Sequence, residues 1–205
     1  VEKSVSTDDV ASAPKGQEDR RRGVVGSILC WKAAGAKAET GGSLAECKEV
    51  ADRCNANTRT IGVALAPCTL PAKGTPTFTL ADDEMEYGVG HHGEAGVEKT
   101  KIVPVDEVVQ RMINEIFADL PFAAGDNVLL MINGLGGTPP TEQYLAYRKA
   151  RKVAEEAGLN IKIPLVGEFF TGLEMAGFSI TLSRLDDELE QLILAKADTC
   201  MFKMT

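Results

Sequence analysis

Asn127-Val-Leu-Leu-Met-Ile-Asn-Gly-Leu-Gly-Gly-Thr138 is the stretch whose reading settles the fold class. Asn127 to Ile132 is a near-continuous apolar run and reads as a strand. It passes straight into a glycine-rich loop. Thr141 to Ala157 then has the length and pattern of a helix, closed by Gly158 at the position where glycine ends helices. A strand, a tight loop and a helix in succession are the repeating unit of α/β proteins.

Working outward, the same alternation continues. Ile161 to Val166 and Phe178 to Leu182 read as strands, the second alternating about Ser179 and Thr181. Asp186 to Lys196 reads as a helix burying Leu189, Leu192 and Ile193, and Cys200 to Met204 as a last strand. Upstream, Asp106 to Leu120 carries Val108, Val109, Met112, Ile113, Ile116, Phe117 and Leu120 on one helical face, and Pro121 ends it. Glu86 to Gly90 is a short candidate strand, and Thr60 to Ala66 a buried one that stops at Pro67. Ser43 and Glu46 have capping-box spacing at the start of a helix bearing Leu44, Cys47, Val50, Ala51 and Cys54. Gly23 to Thr40 reads as a small-residue helix before it, joined through Gly41-Gly42 as an αα-hairpin. Residues 1–22 are polar and read as a solvated lead-in, with 23–205 as the α/β unit.

The chain of 205 residues is long enough for a hydrophobic core of its own. Lys plus Arg number 22 against 30 Asp plus Glu, a net charge of −8. An acidic chain is poorly suited to nucleic acid or to anionic membrane surfaces. No apolar run approaches the roughly 20 residues of a spanning helix, and Val1 to Arg22 lacks the apolar stretch of a secretory signal. The five cysteines are irregularly spaced without a C-x-x-C, the usage of reduced thiols in a cytoplasmic protein. The chain does not begin with Met, which is expected of a piece of a longer protein.

The two histidines are adjacent, in Gly88-Val-Gly-His-His-Gly-Glu-Ala-Gly96. Glycine lets such a loop turn tightly and lets a ligand approach its backbone. Imidazole is both nucleophile and acid/base near neutral pH. Two readings stand on the residues alone: a turn with exposed imidazoles, or a functional loop. His91, His92 and Glu94 make a poor metal set, because adjacent side chains diverge and no third His or nearby Cys completes it. Asp82, Asp83, Glu84 and Glu86 read as a solvated acidic face, and Met112, Met131, Met175, Met201 and Met204 as core fillers. Asn133-Gly-Leu-Gly-Gly-Thr138 matches neither standard nucleotide fingerprint, so a packing turn is the better reading. Arg20-Arg21-Arg22 could meet a phosphate, but one basic cluster in an acidic chain is a weak pointer.

Met85-Glu-Tyr-Gly-Val-Gly-His-His-Gly-Glu-Ala-Gly96 resembles the signature of the substrate-binding subunit or domain of dihydroxyacetone kinases, written about G-x-G-x-H-G-E-P-G. Arg22-Gly-Val-Val-Gly26, Asn133 to Thr138 and Leu173 to Leu182 are similar to further family stretches, in the same order, so the resemblance runs from about Asp8 to the end. It implies an α/β fold with a mixed sheet flanked by helices, and a role in phosphorylating dihydroxyacetone. It implies that His92 forms a covalent hemiaminal with the ketone carbon, making His92 the catalytic and substrate-binding residue. Glu94 and His91 are candidates to support it. His91 stands where the family has an apolar residue, and Ala95 where it has Pro.

The resemblance also implies what lies elsewhere. The family's acidic residue acting on the reacting hydroxyl belongs to a preceding half, so this chain corresponds to the C-terminal part of the module. ATP or a phosphorylated carrier, with Mg, would be held by a separate nucleotide-binding kinase domain or subunit. This chain alone is then not expected to transfer phosphate. A homodimer is a further family expectation. The alternative is a non-catalytic dihydroxyacetone sensor and coactivator of the same fold; a third reading is a structural half-domain with no ligand site.

Overall fold

The computed structural model describes residues 1–200 and 202–205. Its helices are α1 (Ser27–Glu39), α2 (Leu44–Ala56), α3 (Val105–Asp119), α4 (Pro140–Glu156) and α5 (Asp187–Leu194). Its main strands are β1 (Thr58–Ala64), β2 (Glu84–Tyr87), β3 (Glu98–Lys101), β4 (Asn127–Gly134), β5 (Asn160–Gly167) and β6 (Gly177–Arg184). They form one six-stranded sheet in the order β3-β2-β1-β6-β4-β5. Only β4 and β5 are parallel, joined through α4; the other neighbours are antiparallel. The sheet is therefore mixed, as the resemblance implied.

The apolar run in β4 is continuous because both faces of the strand are covered. Val128, Leu130 and Ile132 face α3 and α4, in a core with Ile61, Ile180, Val109 and Ile113. Leu129 and Met131 face the other way, in a core with Leu29, Val50, Leu189 and Ile193. Three layers follow: two helices, the sheet, then the α1–α2 hairpin with α5. The hairpin is the expected one, and Ser43 and Glu46 make the reciprocal capping box at the start of α2. Met112, Met131 and Met175 are fully buried, as core fillers should be. Met204 lies in β8 (Lys203–Met204), which pairs with β7 (Ala197–Asp198), while Met201 lies outside the described residues. Of the expected last strand over 200–204, Lys203 and Met204 are in strand.

Much of the lead-in is exposed, as expected, but three of its charged residues, Asp8, Asp9 and Arg21, are buried. Strand β2 pairs with β1 only at Val63 and Ala64, which leaves the same edge of β1 free nearer its start. The lead-in takes that edge: Thr60 N donates to Asp8 O at 2.7 Å, and Val10 N to Thr60 O at 3.0 Å. The Asp8 carboxylate accepts from Val24 N and Gly26 N, so the chain enters α1 only at Ser27 rather than at Gly23. Backbone donors that would otherwise be orphaned explain why a polar pair is buried here.

Arg21 does not wait for a phosphate. Its guanidinium grips Asp119 at the end of α3 through both nitrogens, at 3.0 and 2.5 Å, and Arg59 of β1 meets the same carboxylate. Burial pushes the Asp119 carboxyl up, but the two guanidiniums outweigh it and hold it below the usual range. Strand β3 escaped the sequence reading because Glu98-Lys-Thr-Lys101 is a charged edge strand with no apolar face. Replacing Asp119 by Ala leaves two poorly exposed guanidiniums without their counter-charge. We expect a loss of about 3–5 kcal/mol in urea unfolding; a loss under about 1 kcal/mol would show that the cluster is not structural.

Candidate functional site

The strand expected over Glu86 to Gly90 ends at Tyr87, and Gly88 to Gly96 forms a compact loop beyond it. Arg22 anchors its start, donating from Nη2 to Gly88 O at 2.8 Å and from Nε to Asp9 at 2.9 Å. Glu94 closes its turn. The Glu94 carboxylate accepts from His92 N at 2.9 Å, and Gly90 N donates to Glu94 O at 3.1 Å. Gly93 sits at φ +78° with Cys68 and Thr77 packed beneath it, so a side chain there meets both strain and a clash. Glu86, read as part of a solvated acidic face, is instead buried, and its carboxylate takes Gly96 N at 2.9 Å. Asp83 does lie at the surface, paired with Lys101.

The adjacent histidines have opposite environments. The His92 side chain is 66% exposed, with Nδ1 3.8 Å from Glu94 Oε1. His91 is buried, stacked on Phe170 at 3.9 Å between centroids and 29° between planes. His92 leans over it, 3.9 Å away and tilted by 55°. Burial, followed by the charges of His92 and Arg22, pulls the His91 pKa down to about 4 against the opposing pull of Glu94. His91 is therefore neutral at pH 7. Burial raises the Glu94 carboxyl, yet the backbone N–H of His92 and the nearby Arg22 charge outweigh it and hold Glu94 ionised.

Phe170 is itself held by one side chain. Asn133, at the end of β4, is completely buried. Its Oδ1 accepts from Phe169 N and Phe170 N at 2.8 and 2.9 Å, and its Nδ2 donates to Phe170 O at 2.9 Å. The glycine loop that follows packs on residues 172–177: Gly137 N donates to Met175 O, Gly172 N to Leu135 O, and Thr138 Oγ1 to Gly177 O. Leu135 N donates to Gly177 O at 3.2 Å, so it and Gly137 N are spent within the chain rather than aimed at a phosphate, in keeping with a packing turn. The structure brings together His91, His92 and Glu94 and adds Arg22, Asn133 and Phe170. Arg22 and Asn133 lay in motifs that the sequence marked, whereas nothing near Phe170 announced it. Among the described residues, no group of three or more His, Cys, Asp or Glu is placed to hold a metal ion. No helix among them is long and apolar enough to cross a membrane.

Comparison with known proteins gives the family of the chain. The Dak1 domain model matches residues 1–201. The PTS-dependent dihydroxyacetone kinase 2, dihydroxyacetone-binding subunit DhaK, of Listeria innocua is 43% identical over 204 residues, covering 100% of this chain and 61% of that protein. The dihydroxyacetone kinase operon co-activator Dha-DhaQ superposes with a TM-score of 0.85 at 33% identity, over 97% of this chain and 61% of its own. The dihydroxyacetone kinase of C. freundii, solved with AMP-PNP and Mg2+, gives 0.85 at 30% identity, over 97% and 36%. The chain belongs to the Dak1 domain family. Within it, it is a DhaK-type domain, and it spans about three fifths of the length of the Listeria innocua subunit.

Two outcomes test the geometry. Replacing Asn133 by Ala frees the Phe169 and Phe170 amides and should cost about 2–4 kcal/mol, with the aromatic signals of Phe170 and His91 broadening in NMR spectra. Sharp, unshifted signals would show that Asn133 does not hold the platform. Replacing His91 by Phe should reduce the acid sensitivity of folding. Unfolded histidine takes up a proton near pH 6.5, whereas folded His91 refuses it until about pH 4. Wild-type stability should therefore fall relative to the variant as pH drops from 6.5 to 4, and parallel urea profiles over that window would contradict the assignment. Asp9, whose carboxyl burial raises to about 6 despite Arg22, acts with the opposite sign but is common to both proteins.

Proposed function

We propose that this chain is the ketone-capturing part of a dihydroxyacetone kinase, with His92 as the covalent anchor. The observation that carries the reading is the exposed imidazole of His92 on a rigid glycine loop, with Nδ1 turned to an ionised Glu94. That carboxylate favours the tautomer with the proton on Nδ1, which leaves the Nε2 lone pair free. Nε2 adds to the carbonyl carbon of dihydroxyacetone and the π electrons pass to the oxygen. The Nδ1 proton leaves towards Glu94 and the oxygen gains one, so a neutral hemiaminal forms. Capture in this way selects carbonyl compounds over plain polyols and fixes a hydroxyl for an incoming phosphoryl group.

Phosphoryl transfer itself is assigned to partners. A nucleotide-binding domain or subunit would present ATP and Mg, or receive phosphate from a phosphorylated carrier; the names of the Listeria innocua subunit and of the C. freundii structure support these two routes. A second reading, a dihydroxyacetone sensor that activates transcription without transferring phosphate, is favoured by the equal likeness to the operon co-activator. Both readings place the same duty on His92.

Carbon-13 NMR of dihydroxyacetone labelled at the carbonyl tests this. The full chain should convert the ketone signal to that of a bound tetrahedral carbon, and His92→Ala should abolish it. A tetrahedral signal that persists in the variant, or none with wild type, would overturn the assignment. Glu94→Gln should weaken capture by about tenfold, the worth of one charge-assisted contact.

A further inference from the structure

His91 carries the one imidazole whose Nδ1 and Nε2 are both sealed from solvent without a hydrogen-bond partner among the described residues. Buried polar atoms are almost always paired, so two orphans on one ring call for a reason. Packing does not supply one. A phenyl ring would stack on Phe170 equally well and would carry no polar atoms to desolvate.

Nor is the ring free to turn away and solve the problem itself. Phe170 lies flat against one side at 3.9 Å. Its backbone is pinned too, since the His91 carbonyl oxygen is packed so close to Gly172 that a Cβ there would sit 2.6 Å from it. The charged neighbours are committed elsewhere: Arg22 to Asp9 and the Gly88 carbonyl, Glu94 to the His92 amide. The ring of His92 lies over it, 3.9 Å between centroids, and that side chain is itself 66% exposed. Because burial keeps His91 neutral, it holds one N–H donor and one lone-pair acceptor at pH 7.

We propose that His91 is a specificity-determining residue of the ketone site, uncovered when His92 turns onto its substrate and pairing through a ring nitrogen with a hydroxyl of the captured ketone. The ligand class is then an α-hydroxyketone rather than any small ketone. This rests on capture by His92. It extends that reading from how the carbonyl carbon is held to how the hydroxymethyl arm is recognised. A site built to hydrogen-bond a hydroxyl discriminates strongly against analogues without it, because its own polar atoms are otherwise left unpaired.

The test compares carbonyl-labelled dihydroxyacetone with carbonyl-labelled acetone, each titrated into the full chain and into His91→Phe and followed by the tetrahedral carbon signal. Wild type should prefer dihydroxyacetone. The variant should lose about tenfold in dihydroxyacetone affinity, the worth of a single hydrogen bond, with acetone capture unchanged. Equal loss for both ketones would mean a structural role only, and an unchanged preference would mean no role; either overturns the proposal. Imidazole nitrogen-15 shifts of the wild-type protein give a readout independent of the variant's folding. A His91 nitrogen should move on addition of dihydroxyacetone and not of acetone, and a static His91 spectrum overturns the proposal. If the variant alone behaves like wild type, only the His91 inference fails. If wild type captures neither ketone, the His92 reading fails with it.

Discussion

The site depends on the buried amide of Asn133. One side chain at the end of an inner strand satisfies three backbone groups of the segment after β5 and so fixes where Phe170 points. Phe170 is the floor on which His91 lies, and His91 in turn lies under His92. The amide cannot be replaced cheaply, because it is fully enclosed and each bond it gives up leaves a half-buried backbone group without its partner. A surface loop is thereby referenced to a buried inner strand of the sheet, the condition for holding a reacting nitrogen in place.

A second set of constraints holds the other side of the loop. Arg22 donates to the Asp9 carboxylate and to the Gly88 carbonyl where the loop begins. Asp9 belongs to a segment that borrows the unpaired edge of β1, while Arg21 next to Arg22 is locked to Asp119 across the α3 core. The polar lead-in is therefore part of the site's foundation. The charges of Asp8, Asp9 and Arg21 are buried because each meets a backbone donor or an opposite charge, the condition under which burial is tolerable. The outcome is a loop clamped at its start by Arg22, at its turn by Glu94 and at its end by Glu86, with the His92 imidazole turned outward.

The three-layer architecture was legible wherever burial wrote a period into the chain. The β4 run, the amphipathic faces of α3 and α5 and the capping box before α2 all lie close to where pattern puts them. What was illegible is physical in origin. A charged edge strand such as Glu98–Lys101 has no face to reveal it. Asp8, Asp9, Glu86 and Arg21 look solvated because composition cannot show which buried partner awaits them. Within the site, His92 and Glu94 stood out by motif, and their mutual approach followed. The contrast between a buried His91 and an exposed His92 did not, because it is created by Phe170, a residue far away in sequence whose position only the Asn133 clamp determines.

The account rests on a reactive, exposed His92 beside a fixed His91–Phe170 stack. A crystal structure of the full chain soaked with dihydroxyacetone tests it most directly. The account predicts continuous density from His92 Nε2 to a tetrahedral ligand carbon, with His91 still stacked on Phe170 and a ligand hydroxyl within hydrogen-bond distance of a His91 nitrogen. Ligand density bonded to another residue, or a His91 ring displaced from Phe170 in the complex, would contradict it.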